Sequence, residues 1–384
     1  MDFGLSEQDR AVQAEVRAFV DEHIRPHARK SDEDGYFDVT RVKQLGDAGL
    51  LGGPLDRAWG SRGWTHVQWA LALMELGAAD SSWRGFCTVQ TCLCGLLIER
   101  FGTVKQQQDL LCKLVSGEWI FAYALTEPEA GTDVAAIQTT ATSDGADVLI
   151  SGTKQWITNG GVADRILVFA NADPEQGRDG ITCFVVPGDA PGLTREPVEG
   201  KELGHRGSNH AVLRFDEVRL PATSVVGGLG KGFEVAMGGL EDGRLGVASG
   251  AVGIQQACVD ACLEFARSRR QFGRRIGDFQ LIQQDLADMW VGLDSSRLLT
   301  LQAAWKRDRG ESNASEVSVA KYAACEAAVT AADRAVLLHG ARGYSSAWPV
   351  ERYLRDAKGL QIYEGTSHIQ RIIIARDLLG KEAR

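Results

Sequence analysis

The arrangement in this chain best suited to chemistry is a carboxylate set between an aromatic ring and a glycine, Tyr363-Glu364-Gly365, followed by the hydroxyl pair Thr366-Ser367. Ile369, Ile372 and Ile373 recur at helical spacing beyond it, which makes Thr366 or Ser367 the N-cap of a helix. Glu364 then lies on the turn entering that helix, where backbone N–H groups converge and a carbonyl oxygen can be polarised. A carboxylate shielded from water at such a place has its pKa raised toward that of a working base. A glutamate stabilised by the helix dipole has the same signature, and this segment alone leaves both readings open.

Four other segments carry ligand chemistry beside an equally plain structural reading. Ala124-Leu125-Thr126-Glu127-Pro128-Glu129-Ala130-Gly131-Thr132-Asp133 follows a strand-like run, and offers either backbone and hydroxyl donors to a polar ligand edge or an acidic turn. Lys154-Gln155-Trp156-Ile157-Thr158-Asn159-Gly160-Gly161 sets an indole beside a hydroxyl, fit to flank a planar ring or to fill a hairpin core. Arg267-Ser268-Arg269-Arg270-Gln271-Phe272-Gly273-Arg274-Arg275, with Gln280 beyond, suits a pyrophosphate and a stacked base, or a solvated helix end. Gly340-Ala341-Arg342-Gly343-Tyr344 is a turn that lets backbone approach a ligand closely. No GxGxxG follows a strand, so a Rossmann site is not indicated.

The elements that must position these segments come in three blocks. Up to about residue 118 the apolar spacing is helical: a first helix capped at Ser6 through Val20 with Val12, Val16, Phe19 and Val20 on one face, then Val39–Ala48, His66–Gly77, Ser82–Phe101 and Val104–Val115. From Trp119 short β-rich runs broken by turn residues take over: IFAYAL, TTATSD, DVLISG, RILVFA, ITCFVVP and AVLRFDEVRLP. From Lys231 long amphipathic patterns return. The reading is an α+β multidomain protein: an N-terminal helical domain (1–118), a central antiparallel β-barrel or sandwich (119–228) and a C-terminal helical domain (229–384).

Composition narrows the function classes. A length of 384 residues with 44% hydrophobic content supports a substantial core, and a net charge of −9 disfavours nucleic acid or an anionic membrane as partner. The eight cysteines form no CxxC pair and no zinc-like spacing with the seven histidines, so no metal is expected. Unpaired thiols, a charged opening MDFGLSEQDR without an apolar h-region, and the lack of a spanning apolar stretch point to a cytoplasmic protein.

Taken in order, the five segments resemble the acyl-CoA dehydrogenase family of flavoproteins. The resemblance runs from DFGLSEQDR through KELGHRGS (Lys201–Ser208) and GKGFEVAMGGLEDGRLGVA (Gly230–Ala248) to IARDLLG. It implies the three-domain fold with a C-terminal four-helix bundle, FAD as cofactor, and a homotetramer in which the adenine half of FAD reaches a neighbouring subunit. Carried over by position, Thr126 and Thr132 contact the flavin, Trp156 and Thr158 sit against its ring, and Arg269 and Phe272, with Gln280 nearby, meet the pyrophosphate and adenosine. Gly340, Thr366 and His368 complete the cofactor contacts; Glu241, Arg244 and Gly365 fall where the thioester substrate is held.

The family's catalytic glutamate is matched by Glu364; the other known placement is Gly243 here, which leaves Glu364 as the candidate. The reaction so implied removes the α-proton of an acyl thioester to Glu364 and the β-hydride to flavin N5, giving a trans-2-enoyl thioester. The Glu364 N–H and a flavin ribityl hydroxyl hold the thioester carbonyl. An electron-transfer flavoprotein is the implied acceptor. The substrate carrier is CoA or an acyl-carrier protein; a catalytically idle flavin- or acyl-binding scaffold is the alternative from another class. Leu337 and Ala341 depart from the family's glutamine and second glycine, and His368 from its glutamine. By analogy Cys87–Leu97 lines the acyl pocket, where Gln90 and Thr91 either meet a short or polar acyl group, face solvent or cap a neighbouring helix.

Overall fold

The computed structural model describes residues 4–380. Asp2 and Phe3 of the opening motif, and the outer ends of the expected first and last domains, lie outside the described residues.

The first block is helical: α1 (Glu7–His23), α2 (Arg25–Asp34), α3 (Val42–Asp47), α4 (His66–Ala79), α5 (Ser81–Thr88), α6 (Leu96–Phe101) and α7 (Val104–Ser116). Reciprocal capping boxes start α1 (Ser6 with Asp9), α4 (Thr65 with Gln68) and α7 (Thr103 with Gln106), satisfying N–H groups that a helix start leaves open. Val12, Val16 and Val20 of α1 are buried, as their spacing predicts, and the helix runs past Val20 to His23. The expected helix at Val39 begins with a 3₁₀ turn over Val39–Arg41.

The run expected as one helix over Ser82–Phe101 is wound as a π-helix between α5 and α6, over Val89–Gly95. Such widened turns gather at functional sites. Gln90, inside it, donates to the carbonyls of Leu114 (3.1 Å) and Trp119 (2.8 Å) and accepts from the Phe121 N–H (2.7 Å). The Thr91 hydroxyl donates to the Leu51 carbonyl at 2.8 Å. Both polar ends are thus spent on neighbouring backbone.

The middle block is a sheet of β1 (Phe121–Ala124), β2 (Thr140–Asp144), β3 (Asp147–Thr158), β4 (Arg165–Asn171), β5 (Ile181–Pro187), β6 (Leu193–Pro197), β7 (His210–Pro221) and β8 (Val225–Val226). Its order is β6-β7-β3-β2-β4-β5-β8, with β1 on β4. Pairing is antiparallel except for β1 on β4 and a single β2–β4 bridge. The expected runs all become strands; β6 and β8 are additional. β6 (LTREP) is a half-exposed edge strand ending in proline, so it carries no apolar alternation to read.

The last block holds α8 (Gly232–Ser268), a two-residue-strand hairpin β9 (Arg270–Gln271) and β10 (Arg274–Arg275), then α9 (Gln280–Asp308), α10 (Ala314–His339), α11 (Val350–Leu360) and α12 (Ser367–Leu378). Helices α8–α11 pack together, and α12 is a fifth helix laid on α10. The N-terminal α4 also runs along α8, and the two share one apolar core with α9–α11. They approach backbone to backbone: a Cβ on Gly77 would lie 2.8 Å from Gly250 Cα. Among the described residues no helix is long and apolar enough to cross a membrane, and no group of His, Cys, Asp and Glu could hold a metal ion.

Candidate active site

Glu364 occupies the short connection between α11 and α12, in the left-handed region at φ 54°, followed by Gly365 at 88°. A non-glycine residue held there is strained, and such strain persists only where the surroundings over-determine it. Of the two capping candidates Thr366 is the N-cap, its hydroxyl accepting from the Ile369 N–H at 3.3 Å, while the Ser367 hydroxyl donates to Glu326 at 2.7 Å. Oε2 of Glu364 is sealed from solvent and has no hydrogen-bond partner among the described residues. It rests against Gly243 of α8: a Cβ there would stand 2.9 Å from Glu364 Cδ, closer still to Oε2, and 2.9 Å from Leu93 of the π-helix. Gly243 therefore makes the space the carboxylate fills. Burial pushes the Glu364 carboxyl above its ordinary value, against the pull of Arg84, Lys321 and Arg244.

Three buried cations surround this turn. Lys321 of α10, wholly buried and without an ion-pair partner among the described residues, donates to the carbonyls of Tyr363 (3.0 Å) and Gly365 (2.6 Å). Gln370 adds a second donor to Gly365 at 2.9 Å. Arg244 of α8 donates through Nε to the Glu364 carbonyl at 3.3 Å. Arg84 of α5 donates to the Tyr363 hydroxyl, and its Nε is buried without a partner. All three carbonyls of Tyr363-Glu364-Gly365 are engaged, whereas the Glu364 N–H has no acceptor among the described residues. The far side of Tyr363 meets His205 of the middle domain, ring centroids 5.5 Å apart; burial drives that imidazole down to about 3, so it is neutral near pH 7.

The two loops of the middle block lie side by side because β3 pairs its Gln155 N–H with the Thr126 carbonyl at 2.9 Å. A buried ion pair fixes them: Lys154 Nζ donates to Glu127 at 2.7 Å and to the Leu125 carbonyl at 2.9 Å, and Glu127 accepts from the N–H groups of Gln138 and Thr139. Desolvation lowers Lys154 to about 8. The β3–β7 register slips between Lys154 and Ile157, and Trp156 stands in the bulge at φ 60° with half its surface exposed (51%). Trp156 is thus no core residue. Thr158 is partly exposed on the same strand end; Thr126 is partly exposed and Thr132 fully so, and neither side chain is tied up in a hydrogen bond.

Arg269, Phe272, Gln280 and Gly340 gather elsewhere. Arg269 caps α8 about 37 Å along that helix from Arg244, at 1.5 Å per residue. Gly340 ends the antiparallel α10 at the same pole, where His339 stacks on Phe265 at 4.4 Å. Phe272 and Gly273 form the hairpin tip, both at positive φ (52° and 79°), with Phe272 92% exposed. The Arg269 guanidinium has no partner among the described residues. Leu337, exposed on the last turn of α10, offers apolar surface only, and Gln280 and His368 are exposed. Glu241 pairs with Arg307 at 3.4 Å one turn before Arg244. One chain therefore places the expected site residues in three regions: the Glu364 turn with Thr366, Gly365 and Arg244, the paired middle-block loops with Thr126, Thr132, Trp156 and Thr158, and a remote pole with Arg269, Phe272, Gln280 and Gly340.

A half-exposed indole in a bulge, an exposed phenylalanine at a strained tip and an unpaired guanidinium fit a flavin dinucleotide, whose ring, adenine and pyrophosphate need those three groups. Lys321, Arg84, His205 and the Lys154–Glu127 pair are site-building residues that motif reading passes over. The readable signal for the first two is a lone cation on an apolar stretch, in SVAKYAAC and SSWRGFC.

Comparison with known proteins agrees with this fold. Three family models match in order: the acyl-CoA dehydrogenase N-terminal domain over residues 6–118, the middle domain over 122–218 and the C-terminal domain over 230–379. The chain is 40% identical to a probable acyl-CoA dehydrogenase, YngJ, of Bacillus subtilis, over 99% of this chain and 100% of that protein. It is 37% identical to the short-chain specific acyl-CoA dehydrogenase of Clostridium acetobutylicum, over 98% and 99%. Among solved structures, butyryl-CoA dehydrogenase from Megasphaera elsdenii matches with a TM-score of 0.96 at 34% identity, covering 99% of this chain and 100% of that one. A glutaryl-coenzyme A dehydrogenase in complex with glutaryl-CoA matches at 0.95 and 35%, covering 99% and 97%. A chain from work on the electron transferring flavoprotein of Acidaminococcus fermentans matches at 0.97 and 34%, covering 99% and 100%. With the three models aligned end to end over the observed fold, the chain belongs to the acyl-CoA dehydrogenase family, FAD-dependent oxidoreductases that dehydrogenate acyl-CoA.

Proposed function

We propose that this enzyme dehydrogenates a short acyl-CoA, with Glu364 as the base that removes the α-proton. The observation that carries the reading is the sealed Oε2 of Glu364, a carboxylate that, like the N–H of the same residue, has no hydrogen-bond partner among the described residues. An α-proton beside a thioester is a poor acid, so its removal needs both a base of raised pKa and a donor to the carbonyl oxygen. Glu364 supplies the base, and its own N–H the donor. FAD, when bound, supplies the acceptor for the hydride that leaves the β-carbon as the Cα–Cβ double bond forms. Trp156, Thr126, Thr132 and Thr158 would flank the flavin, Thr366 and His368 the turn side. Glu241, Arg244 and Gly365 lie toward the thioester. Arg269, Phe272, Gln280 and Gly340, too far from Glu364 to serve its own flavin, would hold the adenine half belonging to a neighbouring subunit.

Sharing FAD in this way requires at least a second subunit, and exposed Leu281, Trp290, Val291, Leu298 and Trp305 along α9 support assembly, which we propose to be a homotetramer. We place the domain boundaries at 118/119 and 228/229, the electron acceptor as an electron-transfer flavoprotein, and the protein in the cytoplasm, in keeping with seven buried free thiols.

A second reading of the acyl group comes from Arg84, whose buried Nε has no hydrogen-bond partner among the described residues. A substrate with a distal carboxylate, as in the glutaryl-CoA of one structural neighbour, would answer that need. The test is α-proton exchange: the enzyme in D₂O should exchange the α-hydrogens of butyryl-CoA, seen by NMR, and Glu364→Gln should not. Exchange undiminished in Glu364→Gln would remove Glu364 from the role of base.

A further inference from the structure

A peptide unit is planar and trans, so its carbonyl and N–H point in opposite directions along one rigid plane. The Tyr363 carbonyl and the Glu364 N–H belong to one such unit. Lys321 Nζ reaches that carbonyl at 3.0 Å from α10, and it also takes the Gly365 carbonyl, at 2.6 Å, two residues on. No carboxylate pairs with this ammonium among the described residues, and the lysine is wholly buried. A buried charge given over to two backbone oxygens is costly to keep, and the fold keeps it beside the base.

We infer that Lys321 is a positioning residue that aims the Glu364 N–H into the site and strengthens it as a donor to the thioester carbonyl, by gripping the opposite end of the same peptide. The grip on Gly365 fixes the carbonyl two residues on as well, so the strained φ of Glu364 is held from both sides. A cation on the carbonyl end polarises the peptide, and the N–H at the other end becomes the better donor. Arg244 holds the carbonyl between them more loosely, at 3.3 Å, and cannot replace this contact because it grips the following peptide.

The inference rests on the reading of Glu364 as the catalytic turn, and the two can fail separately. The probe is acetyl-CoA labelled with ¹³C at its carbonyl, which has no β-carbon and so cannot be dehydrogenated. Its infrared carbonyl band, bound to the FAD-loaded enzyme, should fall below its position in water; it should stay lowered in Glu364→Gln, which keeps the backbone N–H. In Lys321→Met the band should return toward its position in water, and kcat for butyryl-CoA should drop about 10²-fold with KM much less affected. Lys321→Gln, which keeps a donor without the charge and covers the case that the methionine variant does not fold, should lie between. A band as low in either Lys321 variant as in the parent would overturn the inference. Full turnover by Glu364→Gln would instead strike the base assignment and leave the band comparison to decide on Lys321.

Discussion

The Glu364 turn and the hairpin at Arg270–Arg275 treat charge in opposite ways. At the turn, cations are buried and spent on the protein itself: Lys321 and Arg244 on backbone carbonyls, Arg84 on Tyr363. At the hairpin, the Arg269 guanidinium has no partner among the described residues, and Phe272 projects 92% exposed from a tip at positive φ, with an edge contact to Phe279 at 6.1 Å. The first region is a finished machine part that fixes one geometry. The second is exposed surface, read under the proposed function as a half-site completed from outside the chain. On the proposed function, the chemistry at Glu364 is assembled within one protomer, and the grip on the adenine half of FAD is left to a neighbouring subunit.

Substitutions can break this contrast from either side. Gly243→Ala should act most strongly, because the new Cβ would occupy the space of the Glu364 carboxylate; kcat should fall about 10²-fold in steady-state assays with FAD still bound. If kcat holds, the carboxylate does not work from where it now rests. Lys154→Met leaves Glu127 buried with only backbone partners and should lower stability by about 3 kcal/mol in urea denaturation. Looser FAD should accompany it, since the pair ties the Thr126 loop to the Trp156 strand. An unchanged midpoint would mean that those loops are held by the strand pairing alone.

Phe272→Ala should separate the hairpin from the turn. It keeps the positive-φ backbone and removes only a ring that is 92% exposed, so stability should stay within about 1 kcal/mol of the parent, while FAD should dissociate more readily in equilibrium dialysis. Destabilisation without FAD loss would make the tip a structural element instead. The smallest effect expected is on stability against pH. Burial raises the Glu364 pKa above 4.5, so the native state retains a proton that the unfolded chain gives up first. The stability this group contributes is complete below pH 4.5 and is lost as pH rises through the folded pKa. Glu364→Gln, which cannot ionise, should therefore gain in Tm over the parent as pH climbs from about 4.5, and parallel Tm curves would contradict this.

How much of this was legible beforehand varies with the physics. Helix starts and strand runs were open to reading because capping pairs such as Thr65 with Gln68, and β-branched runs such as ITCFVVP, act locally. The π-helix at Val89–Gly95 was not, since its Gln90 is held by Leu114, Trp119 and Phe121, residues distant in sequence. Glu364 stood out through its neighbours Tyr363 and Gly365, and the outward-facing Phe272 through its arginines. Lys321 and Arg84 show in the sequence only as lone cations on apolar stretches, and the burial that makes them unusual is recorded by no motif. Gly243 was legible only as the absence of another glutamate; its second role, making room for Oε2, needed the packing of α8 against the turn.

The most direct test of the account is anaerobic titration of the FAD-loaded protein with butyryl-CoA, longer acyl-CoAs and glutaryl-CoA, following the flavin absorbance, alongside Glu364→Gln. The account predicts rapid bleaching by a short acyl-CoA, extended to glutaryl-CoA if Arg84 reads a distal carboxylate, and none in the variant. A yellow protein that no CoA ester bleaches, or a Glu364→Gln that bleaches as fast as the parent, would contradict it, and the first result would turn attention to acyl-carrier-protein thioesters.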